Sequence, residues 1–271
     1  RRPAPAAPGR PGHEGGRIVK TIVTMGRGGT GKTSFVALAA RHFIAKGETP
    51  LLLVDADPDQ NLAEMVGIDL ETAGRKTIAE LLSDTFIARG GTTVGIPPSK
   101  RIENRIWEEG LCESTDFDLL SVGTKWVEGC YCLPDAALKN ALSVITKQYR
   151  YVLIDSPGGL EHLNRKIAAD VDIIIDVMGP SAKSFAHVKR AHRVVSEVGI
   201  RYGRFYVAGG YGFPDELHDR AAAETGLPYL GKIAYDPVVA EYVLAGRSLL
   251  EVPEDSPGYR SVAALVDRAL G

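Results

Sequence analysis

The chain has 271 residues, 44% hydrophobic and 24% charged, which is enough to bury one sizeable core and fits a single α/β domain better than two. Its 32 Lys and Arg stand against 34 Asp and Glu, and the net charge of -2 gives neither nucleic acid nor an acidic membrane surface a general attraction. No apolar run approaches the roughly 18 residues that span a bilayer, no charged-then-apolar leader opens the chain, and three cysteines make a poor disulfide framework, so a cytoplasmic protein with reduced thiols is expected.

Residues 1–17 are almost entirely Pro, Gly, Ala, Arg and His, with too few apolar side chains to offset the entropy of ordering them, and a disordered tail is predicted there. From Ile18 onward β-branched apolar runs alternate with helical patterns, and residues 18–271 are expected to form the domain. Strand-like runs are Val19–Thr24, Pro50–Val54, Phe117–Val122, Tyr151–Asp155, Val171–Val177, Phe205–Ala208 and Tyr229–Ile233. A helix is expected at Lys32–Lys46, stopped by Gly47, and another from Thr77, whose spacing to Glu80 is that of a capping box. Others follow Pro134, Ser181, Pro214 and Pro237. Gly90, Gly91, Pro97 and Pro98 break any period between Ile87 and Arg105, which reads as a surface excursion. The fold class is therefore α/β, with a mostly parallel central sheet of about seven strands flanked by helices on both faces.

The first strand runs directly into Gly26, Arg27, Gly28, Gly29, Thr30, Gly31, Lys32, Thr33 and Ser34, and a helix follows. This satisfies the G-x-x-x-x-G-K-[ST] phosphate loop in its proper strand-to-helix context, so a P-loop NTPase is expected. The glycines let backbone N–H groups turn inward onto phosphate oxygens, and the helix N-terminus favours the same anion. Lys32 is expected to bridge the β- and γ-phosphates, and Thr33 to place its hydroxyl on Mg²⁺.

Two further strand ends carry carboxylates. Asp55 and Asp57 close the run Leu51–Asp57 at i and i+2, on one side of an extended chain, where both can point into one site or simply form a turn. Tyr151–Asp155 is a Walker B-like strand that positions Asp155 to hold Mg²⁺ directly or through water. Ser156, Pro157, Gly158 and Gly159 follow, and glycine there permits backbone contact with a γ-phosphate and a conformational change on its loss.

Cys130 and Cys132 form a C-x-C pair whose α-carbons, if extended, lie roughly 6 to 7 Å apart on one face. Such a pair is either half of a metal site or two small side chains packed in a loop. Two copies in a symmetric dimer would supply four thiolates, a set that suits Zn²⁺ when tetrahedral and Ni²⁺ when nearer square planar.

The second basic residue of the loop, Arg27, gives it the G-[KR]-G-G-x-G-K-[ST] form, which resembles the deviant Walker A of the MinD/ParA and nitrogenase iron-protein superfamily. The resemblance implies that Arg27, in place of the signature Lys, reaches the ATP of a partner subunit, and that Asp57 orients the attacking water with Asp55 in support. The loop, the run Asp55–Leu62, the Cys130/Cys132 pair, Gly158–Leu163 and Tyr235-Asp236-Pro237 together look like the CooC/AcsF nickel-insertion ATPases over nearly all of the chain after residue 17. That likeness implies an ATP/ADP-cycling homodimer binding Ni²⁺ at C-x-C, with carbon monoxide dehydrogenase or acetyl-CoA synthase as client.

Relatives commonly place an Asn at the strand end that meets adenine, whereas this chain reads Val207-Ala208-Gly209-Gly210-Tyr211. Base contact is then expected from backbone groups or the Asp236-Pro237 loop. His162 reads as a surface histidine beside Glu161, and Cys112 as a structural thiol at a helix end. The terminal segment Ser261–Gly271 lacks the basic amphipathic character of a membrane or DNA tail, and all three cysteines precede Asp155, which disfavours an iron–sulfur reductase.

Overall fold

A computed structural model gives the structure of the chain and describes residues 20–57, 59–87, 97–123, 132–157, 170–197 and 199–271. The expected tail, Cys130 and the segment from Gly158 to Leu163 lie outside the described residues. Eight strands form one sheet: β1 (Lys20–Met25), β2 (Leu51–Asp55), β3 (Cys112–Glu113), β4 (Phe117–Ser121), β5 (Tyr151–Asp155), β6 (Asp170–Met178), β7 (Arg201–Gly209) and β8 (Tyr229–Lys232). Their order is β3-β4-β2-β5-β1-β6-β7-β8, parallel throughout except for the β3–β4 pair. Strands β2, β4 and β5 are buried along their whole length, as strands covered on both faces must be, which is why they read as unbroken apolar runs.

The expected seven strands become eight because β3 is only two residues long, too short to show a period. It places Cys112 opposite Leu119 on a sheet edge, so this thiol is on a strand and not at a helix end. It is nevertheless buried, as a structural cysteine would be. Strand β7 begins four residues before the expected start, because Arg201, Gly203 and Arg204 are exposed and hide the strand pattern.

Helices cover both faces. On one side α1 (Lys32–Ala45), α2 (Asn61–Met65), α8 (Pro237–Leu244) and α9 (Pro257–Leu270) pack over Ile22, Leu51, Leu53, Leu153 and Ile175. On the other, α3 (Ile78–Leu82), α4 (Pro98–Arg105), α5 (Cys132–Ile145), α6 (Ala182–Glu197) and α7 (His218–Thr225) pack over Val23, Leu52, Val54, Val152 and Ile174. The alternation of neighbouring residues between the two cores is the period of a strand.

Helix α1 ends at Ala45, and Gly47 follows at φ 66°, the left-handed stop expected of it. The capping box on α3 is present: Thr77 N–H donates to Glu80 Oε2 at 2.9 Å, and Glu80 N–H donates to Thr77 Oγ1 at 3.3 Å. Helix α4 corrects the expected excursion, because Pro98 occupies its first turn, where proline is tolerated. Helix α5 starts at Cys132, two residues ahead of the expected Pro134 boundary. No helix among the described residues is long and apolar enough to cross a membrane.

Candidate nucleotide site

Strand β1 ends at Met25 and the chain turns through residues 26–31 into α1. Gly26 has φ 138°, and a Cβ there would sit 2.2 Å from the Val177 carbonyl oxygen; Gly31 has φ 94° with the Tyr211 ring 3.2 Å from the same notional atom. Only glycine fits either place. Gly31 is also the N-cap of α1 and offers no side chain to the first-turn amides, which leaves them free for an anion. The Arg27 carbonyl ties the loop together, accepting from Thr30 Oγ1 at 2.9 Å and from the Lys32 ammonium at 3.4 Å. Lys32 is buried, whereas Arg27 is exposed and lines a 320 Å³ cleft with Lys183, His187 and Arg190 of α6.

The carboxylates stand beside this loop by strand register. Asp55 of β2 pairs with Asp155 of β5, and Asp155 pairs with Thr24 of β1. Asp55 is committed to the local backbone: Asp57 N–H donates to its Oδ1 at 3.1 Å and Leu62 N–H to its Oδ2 at 2.9 Å. Burial, with Asp155 nearby, pushes Asp55 up to about 7. Asp155 is fully buried and neither of its oxygens accepts a hydrogen bond. Burial pushes it up to about 6 against the pull of the neighbouring Thr33 hydroxyl and the Lys32 charge. A buried carboxylate with both oxygens free beside a phosphate-loop threonine fits a bound Mg²⁺, and the glycine cradle fits the phosphates that carry it.

A 570 Å³ cleft runs outward from the loop. Gly28, Gly29, Lys32, Thr33, Ser34 and Asp57 line it, so the loop and Asp57 face one cleft. Asp57 uses Oδ1 to accept from Asp59 N–H at 3.1 Å. Tyr211, which lies against Gly31 of the loop, lines it too, as do Tyr235 and Leu244, with relative exposures of 50%, 65% and 89%. Both rings are exposed at the cleft, and an aromatic face suits a flat ligand. The motif reading gave these tyrosines no role, although an aromatic set among Gly209, Gly210 and Gly212 was the available signal.

Asp236 borders the cleft, but its carboxylate is engaged on both oxygens. Oδ1 accepts from Val238 N–H at 2.8 Å, and Oδ2 from Ser256 Oγ at 2.5 Å and Gly258 N–H at 2.9 Å. Burial pushes this group up, yet those hydrogen bonds outweigh it and hold the carboxylate below its usual range. Asp236 thus caps α8 and braces α9, and Pro237 is the first residue of α8; any base contact from this loop falls to other atoms.

Cys132 opens α5, and Cys130 and Gly158 lie outside the described residues. Among the described residues no three His, Cys, Asp or Glu gather as a metal site. One buried charge escaped the motif reading: Asp176 in β6, wholly enclosed and without a hydrogen-bond partner. A lone Asp in the run Ile173–Met178 was its sequence signal.

The AAA domain family matches residues 19–199. An uncharacterised ATP-binding protein of Methanocaldococcus jannaschii is 32% identical over 253 residues, covering 92% of this chain and 98% of that protein. The carbon monoxide dehydrogenase accessory protein CooC of Rhodospirillum rubrum is 27% identical over 261 residues, 91% of this chain and 96% of its own. Among solved structures, the MinD cell division protein of Aquifex aeolicus superposes with a TM-score of 0.66 at 20% identity, over 93% of this chain and 97% of that one. The last likeness is one of fold.

Proposed function

This chain belongs to the AAA domain family, and from that premise we propose that it is a MinD/ParA-type ATPase that binds and hydrolyses ATP in order to carry nickel to a metalloenzyme. The observation that carries the ATPase half is the unpartnered Asp155, held by strand register between Thr24 and Asp55 at the mouth of the phosphate loop. Mg²⁺ bound there would neutralise charge on the transferred phosphoryl group. Thr33 and Asp155 hold the ion, the amides of residues 28–33 and the Lys32 ammonium bind the β- and γ-phosphates, and Asp57 orients the attacking water. Tyr211 and Tyr235 hold the base by stacking, which accounts for base binding without the usual Asn.

The exposed Arg27 lines the α6 cleft and is the group proposed to reach a second copy of the chain. Its planar fork can bind phosphate bidentately in place of the signature Lys. In such a homodimer the Cys130 and Cys132 thiolates of both copies would hold one Ni²⁺, or Zn²⁺, as cargo. The CooC likeness across 91% of the chain supports carbon monoxide dehydrogenase as the client, with acetyl-CoA synthase the alternative. ATP favours the closed, metal-holding dimer, and loss of the γ-phosphate relaxes the switch regions and releases the metal.

The test is an anaerobic equilibrium dialysis of Ni²⁺ into the full chain with and without ATP, beside the double variant Cys130→Ala/Cys132→Ala. ATP-enhanced binding of one nickel per dimer, lost in the variant, is expected. Equal weak binding by both would leave a MinD/ParA-like ATP switch without metal cargo.

A further inference from the structure

Beside the phosphate loop lies a charge that no motif explains. Asp176 stands in β6 in register with Met25 of β1 on one side and Val207 of β7 on the other. It has no exposed surface, and neither carboxylate oxygen has a hydrogen-bond partner. Its Oδ1 is 3.2 Å from where a Cβ on Gly26 would sit, so the group lies against the first glycine of the loop. A valine or leucine would fill this place without penalty, whereas an unpaired carboxylate there is destabilising. Its place at the foot of a phosphate site points to a use in that site.

Among the described residues Lys32 is the charge that acts on Asp176, and Lys183 lines the cleft beside Arg27. The loop and α1 supply Arg27 and Lys32, α6 supplies His187 and Arg190 at the adjoining cleft, and Asp155 lies two strands away across β1. Val207 and Met25, its register neighbours, carry no charge. Burial pushes Asp176 up to about 7, and Lys32 is the charge that opposes the shift.

We propose that Asp176 is a positioning residue for the nucleotide: it must hold a proton for Lys32 to be given wholly to the phosphates, so that triphosphate binding draws a proton into the protein. The inference rests on the nucleotide reading of residues 26–34. Ionised Asp176 attracts the Lys32 ammonium and repels the incoming phosphates; protonated Asp176 does neither. Binding and ionisation therefore oppose each other. Nucleotide raises the affinity of Asp176 for its proton, which comes from solvent, and by linkage the nucleotide binds less tightly as pH rises through the titration of the free form. No bond to phosphate is made or broken in this step.

Isothermal titration calorimetry tests the proposal. Mg²⁺ and a non-hydrolysable ATP analogue are titrated into the full chain and into Asp176→Asn and Asp176→Leu, from about pH 6 to about pH 8.5, in two buffers of different ionisation enthalpy. The unsubstituted chain should match both variants at the acid end. At the alkaline end it should bind about tenfold more weakly than they do, a shift of one pKa unit, and take up protons that the variants do not. The leucine variant removes the buried polar group and carries the comparison if the asparagine variant does not fold. Superimposable pH profiles in all three proteins would overturn the role of Asp176. Absence of binding at every pH in all three would overturn the nucleotide reading itself, and the proposal with it.

Discussion

The Ser121 hydroxyl donates a 2.9 Å hydrogen bond to the side-chain carbonyl of Gln60, and Gln60 accepts it from a left-handed backbone at φ 52°. Gln60 is the residue before α2, in the switch I run; Ser121 is the last residue of β4, nine residues before Cys130. Val122 N–H also donates to the Asp55 carbonyl at 2.8 Å, so two bonds join the nucleotide side to the strand that leads to the cysteines. A non-glycine residue in this conformation costs about 1 to 2 kcal/mol, which makes the junction sensitive to small changes. Ser121→Ala should lower unfolding free energy by about 1 kcal/mol in urea titration and should weaken the ATP dependence of nickel binding while leaving ATP affinity unchanged. Unaltered ATP dependence would mean that the junction serves the fold alone.

Two glycines of one loop should respond differently. A Cβ on Gly26 meets the Val177 carbonyl at 2.2 Å with φ 138°, so Gly26→Ala should destabilise the fold by roughly 2 kcal/mol or more, seen as a lowered melting temperature. A Cβ on Gly28 meets nothing within 4 Å, so Gly28→Ala should fold normally and lose affinity only for nucleotide. Equal melting temperatures for both variants would contradict this division.

The contribution of Asp176 to the stability of the free protein should fall as pH rises from about 4 to about 7. Burial raises the pKa of Asp176 above its unfolded value, so between the two values the native state holds the extra proton. Stability is full below the unfolded pKa near 3.8 and is lost as pH rises through about 7. Asp176→Asn should therefore be more stable than the parent at pH 8, by on the order of a few kcal/mol, and little different at pH 4. Chemical denaturation at the two pH values checks both sign and window.

Tyr211 and Tyr235 are half or more exposed, so their loss should spare the fold and affect the ligand. Each change to Ala should weaken ATP binding by about 1 kcal/mol, roughly fivefold, with melting temperature unchanged. Tyr211→Phe should bind as well as the parent, because the ring and not the hydroxyl supplies the contact. Fluorescence titration with a labelled nucleotide measures all three.

The phosphate loop, the two switch-side aspartates and the Walker B strand were legible because each combines a fixed spacing with a local element, and strand register then brought Asp55 and Asp155 together without further information. The buried strands were legible for the same reason. What escaped depended on tertiary placement. Two-residue β3 exists because Cys112 and Glu113 meet Leu119 and Asp118, a fact about neighbours in space. The Asp236-Pro237 loop was expected near the base because no Asn stands at the end of β7; that the Asp236 carboxylate is engaged by Ser256 and Gly258 depends on α9 packing back against it from 20 residues downstream. Asp176 was visible as an oddity in an apolar strand, but only the approach of Gly26 gives it a neighbour worth naming.

The sheet order also bears on how the protein comes off the ribosome. Strand β1 is translated first among the eight, yet its two partners are β5 and β6, which end at residues 155 and 178. A nascent chain shorter than that has its phosphate loop attached to a strand with no neighbours. The nucleotide pocket can thus be assembled only after Met178 has been added, and a translation arrest before β6 would leave a full motif without both of its sheet neighbours.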